Sequence, residues 1–415
     1  MHSPTDKPTN HPDQPPSKPL DAVSDSPDPR YPTPGPWTFA NPTRVVFGVD
    51  SLARLPELVR GRSTVIVTFP EAGSIGLTDR LQSLLGENLL EIITDTHANP
   101  DVAELGPLHD DFHRRRAHCE LLVAVGGGSV IDTAKALAVS APISPYHSAP
   151  SARASSATPP QGTFDHLARH LAAGTPFTPT RAIPLLAVPT TAGTGSEVTG
   201  WATVWDRQSG RKYSLALAET WPEAALIDPT LALTLPAGPT LSAGLDALSH
   251  ALESIWNTNH NPVSDALAVS AARQVIAVLP HLMRDTANLS LRTKMSQAAL
   301  MAGLAFSNTK TALAHSISYP MTLEHGLPHG LACSFSLPLV LERAIGASPE
   351  RDRVLEAVFG APLASAPERL RALIEGLGLG TRFADHGVGP DEERQLISDA
   401  LQGARGLNFL GRRNP

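Results

Sequence analysis

Between Ser63 and Val125 the chain alternates short apolar runs with amphipathic stretches, and no other feature of the sequence constrains the fold as much. "STVIVTF" (63–69), "LLEIITD" (89–95) and "CELLVAV" (119–125) have strand length and are rich in Val, Ile and Leu. "GLTDRLQSLLG" (76–86) and "VAELGPLHDDFHRRRAH" (102–118) space their apolar residues as helices do. Strands separated by helices pair in parallel, so the pattern predicts a parallel sheet covered by helices. After "AALIDPTLALTLP" the period changes. From about Thr240 onward long apolar or amphipathic helices follow one another with hardly a strand candidate, as in "DALSHALESIW", "PVSDALAVSAARQVIAVLPHLM" and "RTKMSQAALMAGLAF". The expectation is an α/β domain over residues 37–232 and an all-helical domain over 233–415, with the boundary near Pro229 to Pro236.

Two segments stand outside this pattern. Residues 1–36 are rich in Pro, Asp and Ser and read as a disordered tail, and "SPYHSAPSARASSATPPQGT" (144–163) reads as a surface loop inserted after a helix. The chain has 415 residues, 41 % of them hydrophobic, enough for a large core. Its net charge of −7 and its lack of a dense Lys/Arg block argue against nucleic acid or an anionic membrane as a partner. No apolar run is read as long enough to cross a bilayer, and the Pro-rich N-terminus lacks the apolar core of a signal peptide. Cys119 and Cys333 are the only cysteines, so neither a disulfide framework nor a cysteine-based zinc site is expected, and a reducing cytoplasm fits.

Two glycine-rich stretches carry the first chemistry. In "LLVAVGGGSVIDTAKALA" an apolar strand runs into Gly126, Gly127 and Gly128 before a helix opens at Ser129. Such a turn lets a phosphate approach the backbone and the helix N-terminus, although a strand-to-helix turn capped by Ser129, with Asp132 three residues on, is an equal alternative. "AVPTTAGTGSEVTG" (187–200) likewise follows a strand and gathers Thr190, Thr191, Thr194, Ser196 and Thr199 around two glycines. Hydroxyls and open backbone amides suit diphosphate and ribose, and together the two stretches point to a nucleotide site.

The histidines carry the second. In "SAGLDALSHALESIW" Asp246 and His250 stand four apart, on one face of a helix whose other residues are mostly apolar. A buried carboxylate needs a partner, and "AHSISYPMTLEHGLPHG" (314–330) offers His315 and His329. One carboxylate and three imidazoles make a site for Fe²⁺ or Zn²⁺ with a position left for substrate.

At this point the sequence resembles the iron-dependent (group III) alcohol dehydrogenases. Four motifs, in order, carry the likeness: "GGGSVIDTAK", "PTTAGTGSEVT", "GLDALSHALE" and "HSISYPMTLEHGLPHG". The resemblance implies an α/β dinucleotide-binding domain followed by a helical metal-binding domain, the dehydroquinate synthase-like fold. It implies Asp246, His250, His315 and His329 as metal ligands, and Phe69, Gly127, Gly128, Ser129, Asp132, Thr190, Thr191, Thr194, Thr199 and Lys212 at the cofactor. A homodimer is also implied.

Three departures shape the expected activity. Tyr319 stands where many members carry a second histidine, so proton delivery falls to Tyr319, His325, water or the cofactor ribose. Phe69 stands where NAD-preferring members carry an Asp, so a 2′-phosphate is admissible and the reading leans to NADP(H) over NAD(H). Lys310 precedes the third ligand where small or apolar residues are usual, in a segment most like that of the phosphonoacetaldehyde reductases. Members of that group reduce a phosphonate-bearing aldehyde to 2-hydroxyethylphosphonate. The expected substrate is thus a small anionic aldehyde, its phosphonate paired with Lys310 and its carbonyl polarised by the metal for hydride transfer. The alternatives are a generic primary-alcohol dehydrogenase of the same family and, further off, a non-redox lyase resembling the dehydroquinate synthases.

Overall fold

Apolar runs of this kind satisfy their backbone and bury both faces only by pairing under a cover of helices. They do so in the computed structural model of the chain, which describes residues 36–140 and 163–413. The strands are β1 (Arg44–Phe47), β2 (Thr64–Thr68), β3 (Leu89–Ile93), β4 (Leu121–Gly126), β5 (Val139–Ser140), β6 (Arg181–Ala182), β7 (Leu185–Pro189), β8 (Trp201–Asp206), β9 (Arg211–Ala216) and β10 (Ala224–Ile227). Six of them form one sheet in the order β1-β10-β7-β4-β2-β3, every pair parallel. Its helices are α1 (Leu55–Val59), α2 (Leu77–Leu85), α3 (Val102–Arg115), α4 (Gly128–Leu137) and α5 (Phe164–Ala173).

Alternation along β2 decides which helix covers which face. Ile66 joins Leu55, Leu77 and Leu81 in the layer under α1 and α2, whereas Val65 and Val67 join Leu105, Phe112 and Ile131 under α3 and α4. From β2 the chain steps outward to β3 and returns to place β4 on the other side of β2. The winding therefore reverses between β2 and β4. Their carboxyl ends, Thr68 and Gly126, open the crevice where ligands of doubly wound sheets bind. The antiparallel hairpin β8–β9 is an addition that the sequence reading did not contain; it pairs Trp205 with Lys212 and turns at Gly210, whose φ is 64°.

Beyond Ile227 the described residues carry helices and no strand. They are α6 (Ala237–Ile255), α7 (Pro262–Leu282), α8 (Leu289–Thr309), α9 (Leu313–Leu323), α10 (His329–Ala332), α11 (Leu337–Ala344), α12 (Pro349–Phe359), α13 (Ala366–Gly376) and α14 (Pro390–Gln402). The first three pack on one another around Leu248, Leu252, Ala268, Ala272, Val275 and Ala302. One expectation is corrected here. α7 is, by length and composition alone, long and apolar enough to cross a membrane, with a mean hydropathy of 1.3. Its Ala268, Ala271, Ala272 and Val275 side nevertheless lies in the core, which accounts for that hydropathy. The tail and the 144–163 insertion lie outside the described residues but for Pro36 and Thr163 at their edges.

Candidate active site

Asp246, His250 and Glu253 follow one another at intervals of four and three on α6, so all three side chains leave the same face. That face is buried, and each side chain finds a different use. Glu253, 0 % exposed, accepts from the backbone amides of Ala312, Ala314 and His315 and sits 2.7 Å from His315 Nδ1. A carboxylate at Nδ1 fixes the tautomer and directs Nε2 of His315 inward, as the orienting partners of metal-ligating histidines do. There His315 Nε2 lies 3.1 Å from His250 Nε2 and 3.6 Å from Asp246 Oδ1, and His250 Nε2 lies 3.7 Å from the same oxygen. His250 is held by stacking on Phe306, with ring centroids 4.0 Å apart, and by Nδ1 at 3.3 Å from Gly193 O.

His329, the first residue of α10, closes the group, its ring 5.7 Å from that of His315. Asp246 Oδ1 is buried and has no hydrogen-bond partner. An ionised oxygen left so costs about 1 to 3 kcal/mol or more unless a cation takes its lone pairs, so the donor set fits a metal. The electrostatics agree at His250 and His329, whereas at His315 burial is outweighed by Cys333, Glu253 and Asp246, which raise it well above the usual histidine range, so its proton must leave when a metal binds. Burial, outweighing the Asp246 carboxylate, lowers His250 to about 4, and burial together with the Lys212 ammonium holds His329 well below the usual histidine range. Neutral imidazole is the ligating form. Burial works against the Asp246 carboxylate too, but His250 and His315 hold it below the usual range, leaving it anionic.

The crevice between β2 and β4 is the second element. Gly127 caps α4, whose first amides face the opening, and Gly127, Gly128 and Ser129 are partly exposed there, as are Thr191 and Thr194 opposite. A Cβ on Gly128 would lie 2.7 Å from Thr194 Cγ2, so a side chain would close the cradle against that loop. These residues fit a diphosphate. Thr190 lies buried beside them, its amide bonded to Gly126 O. Phe69 follows β2 at the same edge of the sheet, half-buried.

Asp132 and Thr199 are placed differently. The Asp132 carboxylate accepts from Ser196 Oγ at 2.6 Å and from the Thr203 amide at 2.8 Å, and Thr199 Oγ1 lies 3.4 Å from the buried Lys135 ammonium. Both brace the 190–203 segment against α4. Ser129 does not cap α4 either; its hydroxyl accepts from the Asn99 amide.

One turn after His315 on α9 stands Tyr319, its hydroxyl buried without a partner. Two cations lie over its ring: Lys212 Nζ at 4.3 Å from the centroid and the Arg405 guanidinium at 4.9 Å. Arg405 is fixed by Thr311 Oγ1 at 2.9 Å and Ser214 Oγ at 3.3 Å. Burial, with Arg405 as the next cause, brings Lys212 down to about 7, while Cys333 and Asp246 pull the other way.

Two expected residues are not brought to this place. α8 ends at Thr309, so Lys310 shares no helix with His315, which belongs to the first turn of α9. Lys310 is the left-handed residue after α8, with φ 67°, and its side chain is exposed; the role in substrate binding read for it is corrected on that ground. His325 sits in the turn before α10, its Nε2 2.9 Å from Glu392 Oε1 of α14, in a hydrogen bond of its own. Three residues that the sequence reading passed over do reach the site: Glu253, Cys333 and Arg405. Glu253 was within reach of periodicity, being seven residues after Asp246 on one helix face. Arg405 was not, since nothing local ties it to residues 191 positions away.

Comparison with known proteins decides the family. The description "Iron-containing alcohol dehydrogenase" matches residues 42–229, and "Fe-containing alcohol dehydrogenase family, C-terminal" matches 240–410. The chain belongs to the iron-containing alcohol dehydrogenases. It is an oxidoreductase of that family, of the fold expected from its sequence. Among its relatives, a phosphonoacetaldehyde reductase of Streptomyces viridochromogenes is 32% identical over 85% of this chain and 89% of its own. An NAD-dependent methanol dehydrogenase of Bacillus methanolicus is 29% identical over 83% and 87%. The solved structure of a sulfoacetaldehyde reductase from Bifidobacterium kashiwanohense in complex with NAD+ superposes with a TM-score of 0.78 at 28% identity, covering 91% of this chain and 95% of the other.

Proposed function

We propose that this dehydrogenase reduces a small anionic aldehyde, phosphonoacetaldehyde, to 2-hydroxyethylphosphonate with NADPH in preference to NADH. The observation that carries the substrate class is the pair of cations, Lys212 and Arg405, over the ring of Tyr319 beside a buried metal cluster. A neutral alcohol has no use for two half-buried cations side by side, whereas a phosphonate pairs with both. The absence of an acid at Phe69 supports admission of a 2′-phosphate.

Asp246, His250, His315 and His329 would hold the metal, Fe²⁺ or Zn²⁺, and the Gly127–Ser129 turn with Thr191 and Thr194 would hold the nucleotide. When bound, the two supply Lewis-acid polarisation of a carbonyl and a hydride. The chain's own part is to place and enclose the substrate. Arg405 and Lys212 bind its anionic end, which fixes the distance of its carbonyl carbon from the cluster. Tyr319 Oη, buried and unpartnered, is positioned to hydrogen-bond the oxygen that must gain a proton. Orientation of this kind is where most of the selectivity between a charged and an uncharged aldehyde would arise.

The test is a steady-state comparison of phosphonoacetaldehyde, sulfoacetaldehyde and propanal with both reduced cofactors, in the wild type, Arg405→Ala and Lys310→Ala. Loss of one charge-assisted contact costs about 1.5 to 3 kcal/mol, so Arg405→Ala should lower kcat/KM for phosphonoacetaldehyde roughly tenfold to a hundredfold. Propanal turnover should stay within about twofold, and Lys310→Ala should behave as wild type. Equal efficiency with propanal and phosphonoacetaldehyde in the wild type would reject the substrate class; a preference for sulfoacetaldehyde would keep the class and replace the headgroup.

A further inference from the structure

The donors that meet in this cluster are more than the four carried over by resemblance. Asp246, His315, His329 and Cys333 each place one ligand atom within 4.8 Å of all the others. Cys333 is four residues after His329, so the two project from the same side of the chain, as Asp246 and His250 do from α6. The contact between α10 and α6 sets the depth of that pair. Ser249 Oγ donates to Cys333 O at 3.0 Å, Ser334 Oγ donates to Leu245 O at 2.9 Å, and Gly330 lies so close that a Cβ there would be 2.1 Å from Ser242 O. Drawn in by these contacts, Cys333 Sγ stands 3.6 Å from both ring nitrogens of His329, wholly buried. Asp246 Oδ1, unpartnered and within the same cluster, is the independent sign that the space these atoms enclose takes a cation.

A sulfur among these donors changes which ion the site prefers. We propose that Cys333 is a further, thiolate ligand of the metal centre, in addition to Asp246, His250, His315 and His329, and that it biases the site toward Zn²⁺ over Fe²⁺. Binding forms the metal–sulfur bond and releases the thiol proton to solvent. A soft, anionic donor favours zinc relative to ferrous iron, and sulfur in place of a further oxygen or nitrogen sharpens that preference. The inference concerns the metal alone and stands whatever aldehyde the enzyme takes.

X-ray absorption of the zinc-loaded wild-type protein reads the ligand directly, without any variant. One sulfur scatterer at about 2.3 Å is expected, and a shell of nitrogen and oxygen only would overturn the proposal. Cobalt gives a second reading. The Co²⁺-substituted wild type should show an intense sulfur-to-cobalt charge-transfer band in the near ultraviolet that Cys333→Ser lacks, with the weaker visible bands retained. In anaerobic competition, Cys333→Ser should bind Zn²⁺ at least tenfold more weakly relative to Fe²⁺ than the wild type does. An unchanged band and an unchanged ratio in a folded variant, judged by circular dichroism, would each count against a Zn–S bond.

Discussion

Lys212 shows how much a single side chain's surroundings can ask of it. On hairpin β8–β9 it would be an ordinary surface lysine, but its ammonium lies over Tyr319, and burial with Arg405 nearby lowers its pKa to about 7. A lysine so shifted carries its charge below that pH and loses it above, so an anion bound by it is held well in acid and released in base. Ethanesulfonate keeps one negative charge across this range and isolates the protein's titration. As a competitive inhibitor against phosphonoacetaldehyde it should bind with constant affinity below about pH 7 and weaken as pH rises, by up to about tenfold per unit. An affinity flat from pH 6 to 9 would mean that Lys212 does not meet the anion. Glu253 is the complementary case: a buried carboxylate that touches no substrate but fixes His315 through Nδ1.

At the scale of elements, the ends of strands and helices hold the chemistry. The carboxyl ends of β2 and β4, the start of α4, the break between α8 and α9 and the start of α10 each contribute, because there the backbone is free of its ladder. The break after Thr309 also explains why Lys310 points away: a residue at φ 67° reverses the chain, and the turn sends its side chain outward. The end of β2 offers the cofactor test. Phe69→Asp would set a carboxylate where the ribose hydroxyls of NADH are read and a 2′-phosphate is repelled. Measured as the ratio of kcat/KM for NADPH to that for NADH, the preference should fall by about tenfold or more. A ratio that holds steady would show that Phe69 does not face the ribose.

For the whole molecule, the cluster ties three segments distant in sequence into one core. Asp246, His315 and His329 come from α6, α9 and α10, and a metal shared among them would cross-link those helices. Binding to the native state alone stabilises by mass action, about 2.7 kcal/mol at a hundred times the dissociation constant. Chelation should therefore lower the thermal midpoint by several degrees. Zn²⁺ or Fe²⁺ should restore it and Mg²⁺, which prefers oxygen, should not. A midpoint indifferent to chelator would place the cluster outside the folding energetics. The same convergence makes His329→Ala more damaging to metal content than to fold, since the Leu248 and Val275 core beneath lies outside the site.

What could be read from sequence is what local periodicity writes. The parallel sheet followed from β-branched runs separated by helices, the switch from alternating strands to helices near residue 237 from the change of period, and the facing Asp246 and His250 from a spacing of four. His315 and His329 could be named because short motifs keep them close to turns. Asp132 and Thr199 shared those motifs yet pair with the protein itself, because a motif fixes the backbone and the neighbours Ser196 and Lys135 decide what a side chain meets. Cys333 and Arg405 became visible only in three dimensions. The depth of Cys333 is set by α10 resting on α6 through Gly330, and the place of Arg405 by Thr311 and Ser214. Contacts between segments far apart leave no period in the chain, so the sequence determined the layers and the candidate donor residues, and the packing of one layer on another decided which of them meet.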